Sequence, residues 1–245
     1  MTTTPGPMPR RSMAGHSAAS APTIPPTGTV PTPQHLDAAV FEIWPAEQPI
    51  VRVHEAGTDP RRFNPGYGNP TRFGFFTDPH GVTVPVWYGG ENLDVAIAET
   101  LFHELPLGPG AVLAASIYLD RAHGTVAPRR PLQLIKLADN GLRALGLRAH
   151  QLTDTDAVDY ADTVKWAQAL HSRHATADGL VWMSRQFNSH RSLVLFGDRV
   201  TPSDLDIDRL HPEIVFSKGT GLGELIISAA AAGVLVEPPP GTYLS

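Results

Sequence analysis

Asp178-Gly179-Leu180-Val181-Trp182-Met183-Ser184-Arg185 and Leu193-Val194-Leu195-Phe196 are two short apolar runs separated by a polar segment. Four or five residues are too few for a helix, and apolar residues on both faces predict buried strands. Upstream, Ala157 to Ser172 has helical spacing, with Asp154 and Asp156 as capping candidates. Leu132 to Leu137 and Ala111 to Leu119 read as further buried strands, and a helix carrying Leu142 and Leu145 lies between the first of these and the long helix. Val84 to Tyr88 is another strand. Asn92 then caps a helix whose inner face is Leu93, Ala96, Ile97, Thr100 and Leu101, and Pro106 ends it. Pro49 to Val53 reads as a strand and Leu36 to Trp44 as a helix. Pro202 opens a short helix, and Glu224 to Ala232 is the last. Strands and helices are mixed without a regular βαβ alternation. The fold class is therefore α+β, with a curved, mainly antiparallel sheet and flanking helices.

Residues 56–82 are rich in Gly, Pro, Asn and Asp. Their aromatics, Phe63, Tyr67, Phe73, Phe75 and Phe76, predict an ordered loop that packs. The first 34 residues hold eight of the 24 prolines and ten Ser or Thr. Such a stretch buries too little apolar surface to offset its ordering entropy. Residues 1–34 are expected to be a disordered tail and 35–245 a single domain.

The chain has 245 residues, 42% of them hydrophobic, and no cysteine. A core is affordable, while disulfide, thiolate-zinc and cysteine-nucleophile chemistry is excluded. A net charge of -5 argues against direct nucleic-acid binding. No apolar run approaches the roughly 20 residues of a membrane span, and Met13 to Ser17 is no signal-peptide core, so a cytoplasmic location is expected.

Common catalytic signatures are absent. There is no G-x-S-x-G elbow and no Walker A motif. His103-Glu104 begins like a zincin motif but has no second histidine at the required spacing. His171 and His174 lack an evident third ligand, so no metal is expected. Gly219-Thr220-Gly221-Leu222-Gly223 precedes the last helix and could cradle an anion. What remains is a polar set inside apolar segments: Arg52, Arg72, Tyr88, Glu99, Ser184 and Arg185. Taken singly, a helix glutamate, a strand arginine and a serine after a strand are ordinary features. By strand alternation Arg52 points away from Val51 and Val53, to solvent or into a cleft.

Together these segments resemble the RES domain, named for its Arg, Glu and Ser. The family's arginine–aromatic pair reads Arg72-Phe73 here, and its strand ending in Tyr reads Val84 to Tyr88. The A-x-x-E-T/V-x-x-H helix reads Ala96 to His103. The D-G-I/L-x-Y/W-x-S-R segment reads Asp178 to Arg185, followed by the strand Leu193 to Phe196. Arg61 to Pro65 also looks like the family's R-F-N-P element, so Arg62 competes with Arg72 for the arginine role. The resemblance covers roughly residues 48–200. The spacing between Arg72 and Tyr88 and the segment from Asn140 to Ala175 are longer than the family pattern.

The resemblance implies an ADP-ribosyltransferase-like fold and an enzyme that degrades NAD by hydrolysis or phosphorolysis. It implies a toxin paired with an Xre-type helix-turn-helix antitoxin. NAD is then substrate, bound in a cleft between the sheet and the glutamate helix, with no separate cofactor. Glu99 would hold the ribose hydroxyls and stabilise an oxocarbenium-like state. Arg72 or Arg52 would meet the pyrophosphate. Tyr88 would orient the nicotinamide, and Ser184 would hydrogen-bond the ribose or the carboxamide. Arg62, Arg185 and Asn188 complete the expected NAD-binding set. Transfer of ADP-ribose to a protein acceptor, and an inactive binding module, are the alternatives.

Overall fold

The computed structural model describes residues 1, 30–69, 71–103, 105–106, 108, 110–208 and 213–241. Most of the expected tail, residues 1–34, lies outside the described residues. Strands β1 (Phe41–Trp44) and β2 (Ile50–Glu55) come first. The glycine-rich segment leads to a hairpin of β3 (Phe76–Thr77) and β4 (Thr83–Val84). Strand β5 (Val86–Gly90) feeds α1 (Leu93–Ile97), which continues as a π-helical turn, Ala98–Phe102. Next come β6 (Ala111–Leu113), α2 (Ala115–Tyr118), β7 (Arg121–Pro128), β8 (Leu132–Lys136) and α3 (Asp139–Ala144). Helix α4 (Tyr160–Arg173) precedes β9 (Gly179–Met183) and β10 (Arg191–Phe196). The chain closes with β11 (Leu205–Ile207), β12 (Ile214–Val215), α5 (Gly219–Ala231) and β13 (Val234–Val236).

Among the described residues nine strands form one sheet in the order β1-β8-β9-β10-β5-β2-β7-β11, with β12 also on β7. The β8–β9 pair is parallel and the others are antiparallel, so the α+β, mainly antiparallel expectation holds. Strand alternation divides the core. Val194 and Phe196 point to one face, with Leu180, Trp182 and Val86, beneath α3 and α4. Leu193 and Leu195 point to the other, with Trp87, Ile50 and Val126. Val53 lies on the first face, where α1 and α5 pack Ile97, Phe102 and Leu225 against it.

Several local readings change. Leu36 to Trp44 is a 3-10 turn followed by a strand. Its apolar spacing suits a helix, but pairing with Leu132–Ile135 buries Trp44 and leaves Ile43 exposed. The expected strand Ala111 to Leu119 stops at Leu113. There Ala115 N–H donates to the Glu237 carboxylate at 2.8 Å, and the chain turns into α2. The last helix begins at Gly219, so the Gly219–Gly223 run is its first turns and not a loop ahead of it. Gly221 is required by packing: a Cβ there would stand 2.2 Å from the Val215 carbonyl oxygen. The packed chain also starts inside the stretch assigned to the tail. Val30 is buried in the core beneath α4, and the Pro31 carbonyl accepts a 2.6 Å hydrogen bond from the Trp166 indole.

Candidate active site

Strands β2 and β5 meet at one register pair, Val51↔Gly90, whereas β2 and β7 pair along six residues. Beyond that point β2 and β5 diverge, opening the sheet beneath α1. Gly90 lets the helix return over this opening, since a Cβ there would stand 2.8 Å from Ala96 N. Asn92 caps α1 as expected, its Oδ1 accepting from Val95 N–H at 3.0 Å. The π-helical turn then carries Glu99. Such turns alter the direction of one or two side chains and recur at functional sites.

Arg72 reaches Glu99 from the glycine-rich segment. A tight turn closes through Gly74 N–H to Thr71 O at 3.0 Å, and a Cβ on Gly74 would stand 2.9 Å from the Thr71 backbone. The Tyr88 hydroxyl oxygen fixes this turn, accepting from Phe73 N–H and from Thr71 Oγ1, each at 2.9 Å. Burial pushes the Tyr88 phenol well above its usual pKa. Thr163 Oγ1 donates to the Arg72 carbonyl. The buried Arg72 guanidinium then places Nη1 3.5 Å from Glu99 Oε2 and Nη2 3.2 Å from the Thr155 carbonyl, with Cζ 5.7 Å from the Tyr160 ring. On the other side, Arg185 N–H stands 3.3 Å from Glu99 Oε1. Glu99 is therefore held by two long contacts, which leave lone pairs open to a ligand.

Arg72, Tyr88 and Glu99 line one cavity of about 660 Å³, within the usual size range for a small-molecule site. The other expected residues fall elsewhere or are engaged. Arg52 borders the cavity, but alternation turns its side chain to the opposite face. Its Cζ lies 5.2 Å from the Trp87 ring, and Nη1 donates to Pro60 O at 3.0 Å and to Arg62 O. Burial lowers its pKa from the usual arginine range. Arg62 is exposed and does not line the cavity. Ser184 is fully buried, and its Oγ accepts a 3.4 Å bond from Phe187 N–H. It borders a neighbouring cavity of about 290 Å³ together with Arg185 and the exposed Asn188. The Arg185 side chain bridges Asp154 at 2.7 Å and Asp156 at 2.9 Å. Those aspartates were expected as helix caps. Instead α4 starts at Tyr160 without a side-chain cap, and they hold the 154–156 segment beside the site.

Sequence reading missed Thr155, Tyr160, Thr163 and Arg121 as neighbours of the site. Thr155 acts through its carbonyl, which carries no residue-type signal. Arg121 opens β7, a strand left unread. Its alternation of Ala122, Gly124 and Val126 against His123 and Thr125 was the available cue.

A family model for the RES domain matches residues 49–213. The chain belongs to the RES domain family. A solved structure that matches is the crystal structure of the M. tuberculosis MbcT–MbcA toxin–antitoxin complex. It shares 17% identity with this chain, covering 74% of this chain and 89% of that one, with a TM-score of 0.46. No curated protein matches. Among the described residues no cluster of His, Cys, Asp and Glu could hold a metal ion, and no helix is long and apolar enough to cross a membrane.

Proposed function

We propose that this protein is an NAD-consuming toxin-like enzyme that breaks the nicotinamide–ribose bond. The observation that carries the reading is the Glu99 carboxylate, supported by Arg72 and the Arg185 amide at the wall of a ligand-sized cavity. Glycosidic cleavage of NAD sends the bonding electron pair to nicotinamide and leaves positive charge on the ribose. Nicotinamide departs as a neutral molecule, so no strong general acid is required. A fixed carboxylate beside the ribose stabilises the developing cation and accepts hydrogen bonds from its hydroxyls. Arg72 holds Glu99 in place, and Tyr88 positions Arg72 through the Thr71–Phe73 turn. Water or phosphate then adds to the ribose carbon. An Xre-type antitoxin is the partner this reading carries with it.

The test is incubation of the purified protein with NAD, with and without phosphate, following nicotinamide release. Folded protein that releases none under either condition sinks the proposal. Radiolabelled NAD that marks a macromolecule, with little free ADP-ribose, would instead identify protein ADP-ribosylation. Equal harmlessness of wild type and Glu99→Ala in bacteria would point to an inactive binding module.

A further inference from the structure

An enzyme that takes a dinucleotide must also hold its pyrophosphate, and phosphate oxygens call for guanidinium donors with free N–H groups. The arginines expected in that role are engaged elsewhere. Arg52 Nη1 serves two loop carbonyls on the far face of the sheet. Arg72 is shared between Glu99 and the Thr155 carbonyl. Arg185 bridges two aspartates. Arg62 is outside the cavity.

Arg121 differs from all four. It lines the same cavity as Glu99, Arg72 and Tyr88. Among the described residues its one ion pair is a 3.4 Å contact from Nε to the neighbouring Asp120, with both side chains well exposed. Exposed pairs of this kind are weak. Its two Nη groups have no partner among the described residues. Register places the side chain on the correct face. Glu55↔Arg121 and Val53↔His123 are directly opposed across β2–β7, and Val51↔Gly90 joins β2 to β5. Directly paired residues share a face, so Val53, Tyr88 and Arg121 all point toward α1. Strand β2 lies between β5 and β7, and the divergence of β2 from β5 sets Arg121 across the opening from Tyr88, more than two strand spacings away. That offset lets a ribose sit at Glu99 while a phosphate meets a long arginine side chain.

We infer that Arg121 binds the pyrophosphate of the dinucleotide and sets the preference for phosphate-bearing over phosphate-free nicotinamide ribosides. The inference rests on the NAD reading above. Arg121→Gln, Arg121→Lys and the control Arg129→Gln, an exposed arginine paired with Asp206, are compared with wild type as full-length proteins. Thermal melts verify folding. Substrates are NAD and nicotinamide riboside, and binding of ADP-ribose is measured by calorimetry. Arg121→Gln should raise KM for NAD about 10- to 100-fold, the loss expected for a charge-assisted phosphate contact, with kcat within about two-fold. Arg121→Lys should fall between it and wild type. Nicotinamide riboside turnover and the Arg129→Gln control should be unchanged. An unchanged KM for NAD, or equal losses on NAD and the riboside, overturns the inference. If wild type releases no nicotinamide, the proposed function fails, and ADP-ribose binding then decides this point. Weaker binding by Arg121→Gln supports it; equal binding, or none by wild type, overturns it.

Discussion

The Arg72 guanidinium stands 3.5 Å from the Glu99 carboxylate although 27 residues separate them in the chain. Arg72 is 6% exposed and the Glu99 side chain 18%, so the pair faces a cavity rather than bulk solvent. Breaking it tests chemistry and stability separately. Glu99→Gln keeps the shape and removes the charge. Nicotinamide release should drop about 100- to 1,000-fold, the scale of losing a fixed electrostatic contact to a developing charge. The melting temperature should fall by only a few degrees, because the Arg72 charge loses its counter-ion but keeps the Thr155 carbonyl. Activity assays paired with thermal melts check both.

Tyr88→Phe isolates the positioning of Arg72. It removes the oxygen that accepts from Phe73 N–H and Thr71 Oγ1. Leaving a buried N–H unsatisfied costs about 1–3 kcal/mol. The variant should melt several degrees lower and lose activity through a displaced Arg72. Wild-type activity in a folded Tyr88→Phe protein would refute this positioning role.

Two glycines of α5 should respond in opposite directions to alanine. At Gly221 the new Cβ would stand 2.2 Å from Val215 O, so α5 must move off β12. Overpacking of this kind costs about 1–3 kcal/mol or more. At Gly223 an added Cβ would meet no described residue within 4 Å outside the helix's own backbone, and the residue is helical. Gly223→Ala should gain about 0.5–1 kcal/mol of helix propensity. Denaturant melts of the two variants check the contrast.

Stability should fall as the medium turns mildly acidic. Burial lowers the pKa of His54 and His171 below the usual 6.5, against hydrogen bonds to Glu55 O and to Asp198 that raise it. The unfolded chain takes up protons near that value while the folded chain resists. The stabilisation is thus complete above about pH 6.5 and is lost below it, by at most about 1.4 kcal/mol per pH unit for each histidine. The Glu91 carboxylate, held below its usual range by Arg191, adds a second loss at lower pH. Melts from pH 8 to pH 4 should show both limbs, and His171→Gln should flatten the first.

Much of the site was legible because its residue types are tied to local structure. Asn92 announced the cap of α1, and Glu99 followed on the border of its apolar face. Tyr88 closed a readable strand, and the turn that delivers Arg72 carried its glycine. The choice between Arg62 and Arg72 was not legible, since both precede an aromatic in a glycine-rich segment. The path of that segment brings one to Glu99 and leaves the other in solvent. Arg52 shows the same limit: alternation said that it opposes Val51 and Val53, but not which face of the sheet held the cleft.

From sequence alone came the α+β class, most of the helices and strands, and the RES resemblance, because periodicity, capping and turn chemistry act over a few residues. Tertiary structure decided the rest. The single-pair junction of β2 with β5 opened the cavity. It set Ser184 and Asn188 beside a second cavity, bound the Arg185 side chain to Asp154 and Asp156, and turned Arg121 toward Glu99's chamber. Those outcomes depend on sheet register and on which strands become neighbours, and no short stretch of residues encodes either.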